Sequence, residues 1–536
     1  MKRLRHLLRP FVVAPALALA ATLVCGLSAA PGAAQRYSVF AFNDLGMHCY
    51  DSTFAVFSIL PLFNTLHAQV VQVGTVPALR DDQTTKVTYR ARVDPSGSIN
   101  TTSARKTNFW KFLPGLFGLT RHVDAGILGQ RMPGALNARR PFLGYQAGPG
   151  WFEAHGIPIT AIDDRRRRNT YPLMTVAATD KATGAALGST PVVVPVSDEM
   201  ACGNCHLTGQ QAAVDPAVTW ATDADPVVQY KKNILLLHDL RQGTDLFAHQ
   251  PVLCASCHYS LALDLGGTGP AGSQVGVSFM SRAMHGWHAT RVPQDPSPTA
   301  TCFLCHPGRT TQCLRGAMSA AGLGCVDCHG QMAALARDTR APWADEPQCQ
   351  SCHTGDALSS FDGLIVRRTA YADAPDTATP IDAPNPRFAE PAGSLYRMST
   401  GHGGLACEAC HGSPHAEWPS REPNDNLVAV GKQGHAGPIA ECGVCHGDAA
   451  LLTLGGPHGL HAVNSQAWIG AHHTLYEADP AQCQTCHGAQ GEGTVIAKAQ
   501  DDRVFTVENV GQVKIYRGTK IGCGNCHENP YLGGGA

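Results

Sequence analysis

Between Cys302 and His353 one pattern occurs three times: Cys302-Phe-Leu-Cys305-His306, Cys325-Val-Asp-Cys328-His329 and Cys349-Gln-Ser-Cys352-His353. Cys-x-x-Cys-His is the attachment sequence of a c-type haem. Two cysteines three apart, with histidine next in line, share one face of a helical turn, so both thiols reach the vinyl groups of one porphyrin while the imidazole ligates its iron. Three such groups in so short a stretch would lie close in space. One further cysteine, Cys313, stands between the first two motifs. It competes with Cys325 for one porphyrin vinyl; the regular spacing favours Cys325 with Cys328 and leaves Cys313 free or paired elsewhere.

The same pattern continues toward both ends. Cys202/Cys205/His206 and Cys254/Cys257/His258 precede the cluster, and Cys407/Cys410/His411, Cys442/Cys445/His446, Cys483/Cys486/His487 and Cys523/Cys526/His527 come after it. Structural zinc and disulfides are the ordinary readings of paired cysteines. Neither demands histidine after the pair, and 25 histidines in 536 residues do not fall after all nine pairs by accident. The sequence therefore predicts nine covalently bound haem c groups with the nine motif histidines as proximal iron ligands. The intervals between motifs, 52, 48, 23, 24, 58, 35, 41 and 40 residues, are too uneven for a solenoid. Porphyrins at this density would form much of the core, as disulfides or metals do in other core-poor chains.

Composition agrees with that picture. Charged residues are 15% and aromatics 7% of the chain, while glycine (56) and proline (36) are plentiful, which describes a loop-rich protein. Lys2, Arg3, Arg5 and Arg9, an apolar run from Phe11 to Leu27 and small residues up to Ala34 read as a secretory signal peptide; the run is short for a membrane span and contains Pro15. Cys25 leaves with the leader or, in the rival reading, is a lipoprotein cysteine. Without the leader 37 basic residues face 42 acidic ones, a balance of −5 that lacks the basic footprint of a nucleic-acid partner. No later segment is long and apolar enough to span a bilayer, so the mature chain is expected to be exported to the periplasm, the outer surface or the extracellular space.

The expected organisation is a signal peptide (1–34), a β-rich N-terminal domain (35–197), a region with haems one to five (198–370), a proline-rich connection (371–398) and a region with haems six to nine (399–536). Strands are predicted at Tyr37 to Phe42, Ala55 to Leu60, Leu66 to Val73, Lys86 to Val93, Tyr171 to Ala178 and Thr190 to Val196, with a late hairpin or meander over Thr494 to Ala499, Arg503 to Val507 and Val513 to Arg517. The fold class is thus a multihaem cytochrome c, loop-rich with short helices around stacked haems, preceded by a β-sandwich-like N-terminal domain. The basic run Arg165 to Arg168 reads as a solvated loop.

The sixth ligand decides whether a haem iron conducts or reacts. Apart from His6 and the nine motif histidines, 15 histidines remain, enough to cap every iron. The distal candidates are His48, His238 on a helix over Tyr230 to Leu240, His285, His288, His402, His415, His435, His458, His461, His472 and His473. His285 and His288 are too close along the chain to serve one iron and are expected to cap two. His48 is either a distal ligand or a hydrogen-bonded core histidine. Met280, Met284, Met318 and Met398 are also possible ligands, though methionine is more often packing. Cys49 and Cys313, outside every motif, could form a disulfide in an oxidising compartment.

Four strings carry a resemblance: Asn43-Asp-Leu-Gly-Met-His-Cys49, Ala283-Met-His-Gly-Trp-His288, Gln312-Cys-Leu-Arg-Gly316, and Gly401-His-Gly-Gly404 through Cys407-Glu-Ala-Cys-His-Gly-Ser-Pro-His415. With the haem motifs they make the chain resemble the secreted multihaem c-type cytochromes of metal-reducing bacteria, those of the OmcZ nanowire type among them. The resemblance implies bis-histidine haems in a continuous chain, extracellular electron transfer to other redox proteins or extracellular acceptors, and self-assembly into filaments as an open possibility. The nine regular motifs depart from that type, which carries eight haems, one through a Cys-x14-Cys-His spacing; Cys313 to Cys328 has that spacing here. The expected function is electron transfer rather than catalysis, in extracellular or periplasmic respiration. The rival is a multihaem oxidoreductase acting on a small nitrogen or sulfur compound at one open-site haem, for which no motif offers lysine in place of histidine.

Overall fold

Alternating apolar and β-branched residues make Tyr37–Asn43 (β1) and Asn64–Gln72 (β2) antiparallel partners, with Val39 opposite Val70 and Ala41 opposite Ala68. The computed structural model describes residues 35–292, 298–353, 370, 386–388, 390, 394–446 and 452–529. The leader with Cys25, and most of the proline-rich connection, lie outside the described residues.

Thr85–Arg92 (β3), Gly144–Gln146 (β4), Trp151–Ile157 (β5), Leu173–Asp180 (β6) and Ala186–Val193 (β7) complete two antiparallel sheets. One runs β1-β2-β5-β4, with Ala78–Leu79 also on β2; the other runs β7-β6-β3, with Arg140–Pro141 beyond β3. Along β3 Thr85, Val87, Tyr89 and Ala91 are buried while Lys86, Arg90 and Arg92 are exposed, the mark of a sheet with one face on a core and one in water. Val39, Leu66, Ala68 and Val70 from the first sheet share that core with Val87, Tyr89, Met174, Val176 and Val192 from the second. Phe109–Phe117 (α1) adds Phe109, Leu113 and Leu116 and ends at Gly118, whose φ of 64° is the left-handed conformation that glycine adopts freely. The basic run closes a loop in which Arg167 pairs with Asp163 and Arg168 with Asp198.

β2 is different: His67, Gln69 and Val71, which point away from the shared core, are as buried as Leu66, Ala68 and Val70. The later chain covers them. The Gln69 amide donates to the Gly404 carbonyl (3.0 Å) and accepts from the Ala406 N–H (2.8 Å), while Phe40, Phe42, Val71 and Trp151 pack on Ala406, Ala409 and Val444. The outer face of the first sheet is therefore the platform for the sixth and seventh motifs. Arg36–Ala536 accordingly form one compact unit, across the compositional boundary at residue 197.

Two buried ion pairs fasten the sheets to the later chain. Pro226–Gln242 (α2) begins at Asp225, whose carboxylate accepts from the Val227 N–H, and ends at Gly243. From it Lys231, 1% exposed, donates to Asp51 Oδ1 (2.6 Å) and to the carbonyls of Thr53 (2.7 Å) and Phe57 (3.1 Å). Arg315 forks onto Asp425 and reaches back to the Gly46 carbonyl at 2.8 Å.

Beyond Ser197 the chain is mostly short helices and turns. Longer elements there, besides α2, include Met280–Ala289 (α3), Gln466–Ala478 (α4), the helix Pro480–His487 and a hairpin of Arg503–Val507 (β8) with Gly511–Ile515 (β9). Thr494 to Ala499 is not a strand; Lys498 makes a single bridge to Lys520. Among the described residues no helix is long and apolar enough to cross a membrane.

Candidate cofactor sites

Each Cys-x-x-Cys-His folds as one helical turn. The N–H of the histidine bonds to the carbonyl of the first cysteine, from His206 to Cys202 (3.0 Å), His258 to Cys254 (3.0 Å), His306 to Cys302 (2.9 Å), His353 to Cys349 (2.8 Å), His446 to Cys442 (2.9 Å) and His527 to Cys523 (3.2 Å). This i to i+4 closure puts two thiols and an imidazole on one face of the turn. None of the eighteen motif cysteines is drawn into a disulfide.

Opposite eight of the nine motif histidines stands a second histidine. The pairs are His206 with His288, His258 with His238, His306 with His285, His329 with His415, His411 with His458, His446 with His402, His487 with His461, and His527 with His472; their ring centres are 5.9–6.4 Å apart. A metal–imidazole bond of about 2.0–2.1 Å on each side of one ion, with half a ring beyond each nitrogen, separates ring centres by about 6 Å. Two rings in direct contact stack closer, as His461 does on Trp468 at 4.1 Å. The spacing thus fits one metal ion between each pair.

Ring orientation supports the same use. Nδ1–H donates to a backbone carbonyl in His258 (Ser278, 2.8 Å), His285 (Ser281, 2.8 Å), His288 (Met284, 2.7 Å), His472 (Ile469, 2.9 Å) and His487 (Ile521, 2.6 Å). A carbonyl on Nδ1 fixes the tautomer and leaves Nε2 free for a metal bond. His285 and His288, one turn apart on α3, face two different motif histidines. Burial, reinforced by the neighbouring imidazole, pushes His206, His411 and His461 down to about 4, so each is the neutral base that a metal bond requires.

The motifs also touch one another. The Cys302 and Cys325 thiols hydrogen-bond, and the Cys352 thiol adds to the burial that pushes Cys328 up to about 12. A cavity of about 2000 Å³, mostly apolar, runs past Cys202 and the cysteines of the third to sixth motifs. Ordinary ligand pockets hold about 300–1,000 Å³. Donor set, spacing and volume there all fit porphyrins bound through the motifs.

Cys205 and the cysteines of the second, seventh, eighth and ninth motifs do not line this cavity. Cys205 lies beside Cys202, its N–H on the Cys202 carbonyl at 3.2 Å and its thiol near that of Cys305. Cys257 is exposed, with its N–H on the Cys254 carbonyl at 3.3 Å and the Ser256 hydroxyl 4.0 Å from its sulfur. Cys486 is half-buried against Arg387, whose guanidinium donates to Sγ at 3.8 Å, and its carbonyl accepts from the Thr494 hydroxyl. A porphyrin held by the exposed Cys257 would lie against the surface of the chain.

Three distal candidates are held elsewhere. The buried His48 ring bonds to the Asp44 carboxylate at 2.8 Å, so it is a hydrogen-bonded core histidine and not a partner of any motif histidine. His435 contacts Glu441 at 3.2 Å, and His473 meets Thr474 on the solvent side of α4. Cys49 and Cys313 are free thiols rather than a disulfide; Cys313 lies 3.8 Å from His415 Nδ1, and burial pushes it up to about 11.

Two features were not foreseen from the sequence. His67, Glu153 and His155 gather on the outer sheet face with ligand atoms within 4.8 Å of one another. Burial opposes the Glu153 charge, but His155 at 2.7 Å and His67 at 3.2 Å outweigh it and hold the carboxyl well below its usual range. Glu153-Ala-His155 was the available signal, since residues two apart on a strand share a face. The second is Phe388, which faces His353. No family model, curated protein or solved structure matches the chain.

Proposed function

We propose that the protein is a nonahaem c-type cytochrome that carries electrons along a series of covalently attached haems, most of them bis-histidine, between redox partners outside the cytoplasm. The observation that carries this reading is the set of eight histidine pairs, each matching a motif histidine to a second imidazole at the spacing of one metal ion. Haem c supplies the chemistry, an iron that cycles between ferric and ferrous states. Two imidazoles saturate an iron and leave it electron transfer alone.

The chain's own residues keep the sites adjacent. α3 serves the first and third motifs through His288 and His285, and it begins beside the second, where the Met280 N–H bonds to the Tyr259 carbonyl. The Cys302–Cys325 and Cys328–Cys352 contacts join the third to fifth motifs, and His458 and His461, three residues apart, serve the sixth and eighth. Periplasmic or extracellular redox proteins and acceptors are the partners this reading implies, and filament assembly remains part of what it leaves to test. Low-temperature EPR of the oxidised mature protein is expected to show low-spin ferric haem at eight sites or more; a spectrum dominated by high-spin iron would refute the pairing.

A further inference from the structure

One motif histidine, His353 of the fifth motif, breaks the pattern. The aromatic ring opposite it is Phe388, with ring centres 6.3 Å apart and planes at 73°. That distance lies within the 5.9–6.4 Å range of the eight histidine pairs, so Phe388 stands where a distal imidazole stands at the other sites. His458 is the nearest alternative, but it faces His411 at 6.0 Å, and Phe388 packs on it at 4.7 Å. The remaining candidates are committed elsewhere: His48 to Asp44, His67 and His155 to Glu153, His435 to Glu441. His122, His249 and His473 are exposed. The residues outside the described set beyond 34 contain no histidine, methionine, lysine or cysteine that could fill the place.

We infer that the haem at Cys349, Cys352 and His353 lacks a sixth protein ligand and binds a small neutral diatomic ligand of ferrous iron, such as carbon monoxide or nitric oxide, when the Phe388 ring turns aside. This rests on the haem reading of the nine motifs. A phenyl ring cannot donate a pair to iron, and as an apolar wall it offers nothing to offset the desolvation of an anion, which selects a neutral ligand. Binding forms one iron–ligand bond at the ferrous iron and transfers no electron or proton. The fifth motif then acts as a ligand-responsive member of a chain whose other irons are saturated.

The test is carbon monoxide added to the dithionite-reduced mature holoprotein, read by optical difference spectra against total haem. One carbon monoxide per nine haems is expected. Phe388→His should abolish that binding by supplying the missing imidazole, while Phe388→Leu should keep one ligand per chain and serve as the control for folding. Nine haems with no carbon monoxide bound would overturn the open site and leave the electron-transfer reading standing, as would a folded Phe388→His protein that still binds one. A chain without haem would overturn both.

Discussion

Replacing Arg315 with Met is expected to destabilise the folded chain by about 3–5 kcal/mol. The Arg315 side chain is 1% exposed; its Nε and Nη2 bind Asp425 at 2.7 and 2.9 Å, Nη2 also donates to the Gly46 carbonyl, and Nη1 donates to the Cys313 carbonyl at 3.0 Å. Burial works against the guanidinium charge and Asp425 more than offsets it, so the pair exists only as a pair. Methionine fills much of the volume but strands a buried carboxylate that keeps only the Ser420 hydroxyl as a side-chain donor. One side chain here joins the loop after β1, the segment between the third and fourth motifs and the segment after the sixth. Denaturant unfolding combined with hydrogen exchange at these three segments measures the effect. Arg315→Met with Asp425→Leu should recover most of the loss, because removing both charges removes the stranded one. A single-variant loss under about 1 kcal/mol, the worth of an ordinary surface pair, would show that the clamp is dispensable.

The second large effect is spectroscopic. His238→Ala should convert one haem from six-coordinate low-spin to a ligand-accessible form, so that the reduced protein binds one more carbon monoxide per chain than the unaltered protein. His238 sits on α2, its ring 6.3 Å from His258 and its Nδ1 bonded to the Thr244 hydroxyl at 2.8 Å. Alanine is the best helix former, and the Asp225 cap and Lys231 anchor remain, so α2 stays in place. His238→Met should keep the iron six-coordinate and raise its potential, since a thioether favours the ferrous state relative to a second imidazole. Unchanged carbon monoxide stoichiometry in His238→Ala would break the assignment of this pair.

How much of this was legible in the sequence differs by element. β3 could be read directly, because Thr85, Val87, Tyr89 and Ala91 alternate with polar residues along a half-buried strand. β5 could not: Trp151 to Ile157 contains Glu153, His155 and Gly156, polar or flexible residues, and its Trp151 is buried against Ala406 and Ala409, more than two hundred residues later. Ala55 to Leu60 reads as a full strand but pairs only at Phe57–Ser58, where Asp51 caps the backbone N–H groups of Ile59 and Leu60 instead of a neighbouring strand. The Cys-x-x-Cys-His turns follow from spacing alone, since the closure of one turn is local. Distal partners do not, because a pair such as His329 and His415 is made by chain segments eighty-six residues apart. Nor does spacing say how deeply a motif is enclosed, which is why Cys257 at the surface and Cys352 in the interior read alike. Phe388 was invisible for the opposite reason: nothing about a phenylalanine announces that it faces a motif histidine.

The proposed nine-haem assignment is covalent, and intact-mass analysis of the purified chain with peptide mapping tests it most directly. Nine haem increments are expected, carried on the eighteen cysteines of the nine motifs, with Cys325 and Cys328 holding the fourth and with Cys49 and Cys313 unmodified. A chain of unmodified polypeptide mass that releases zinc to a chelator would contradict it.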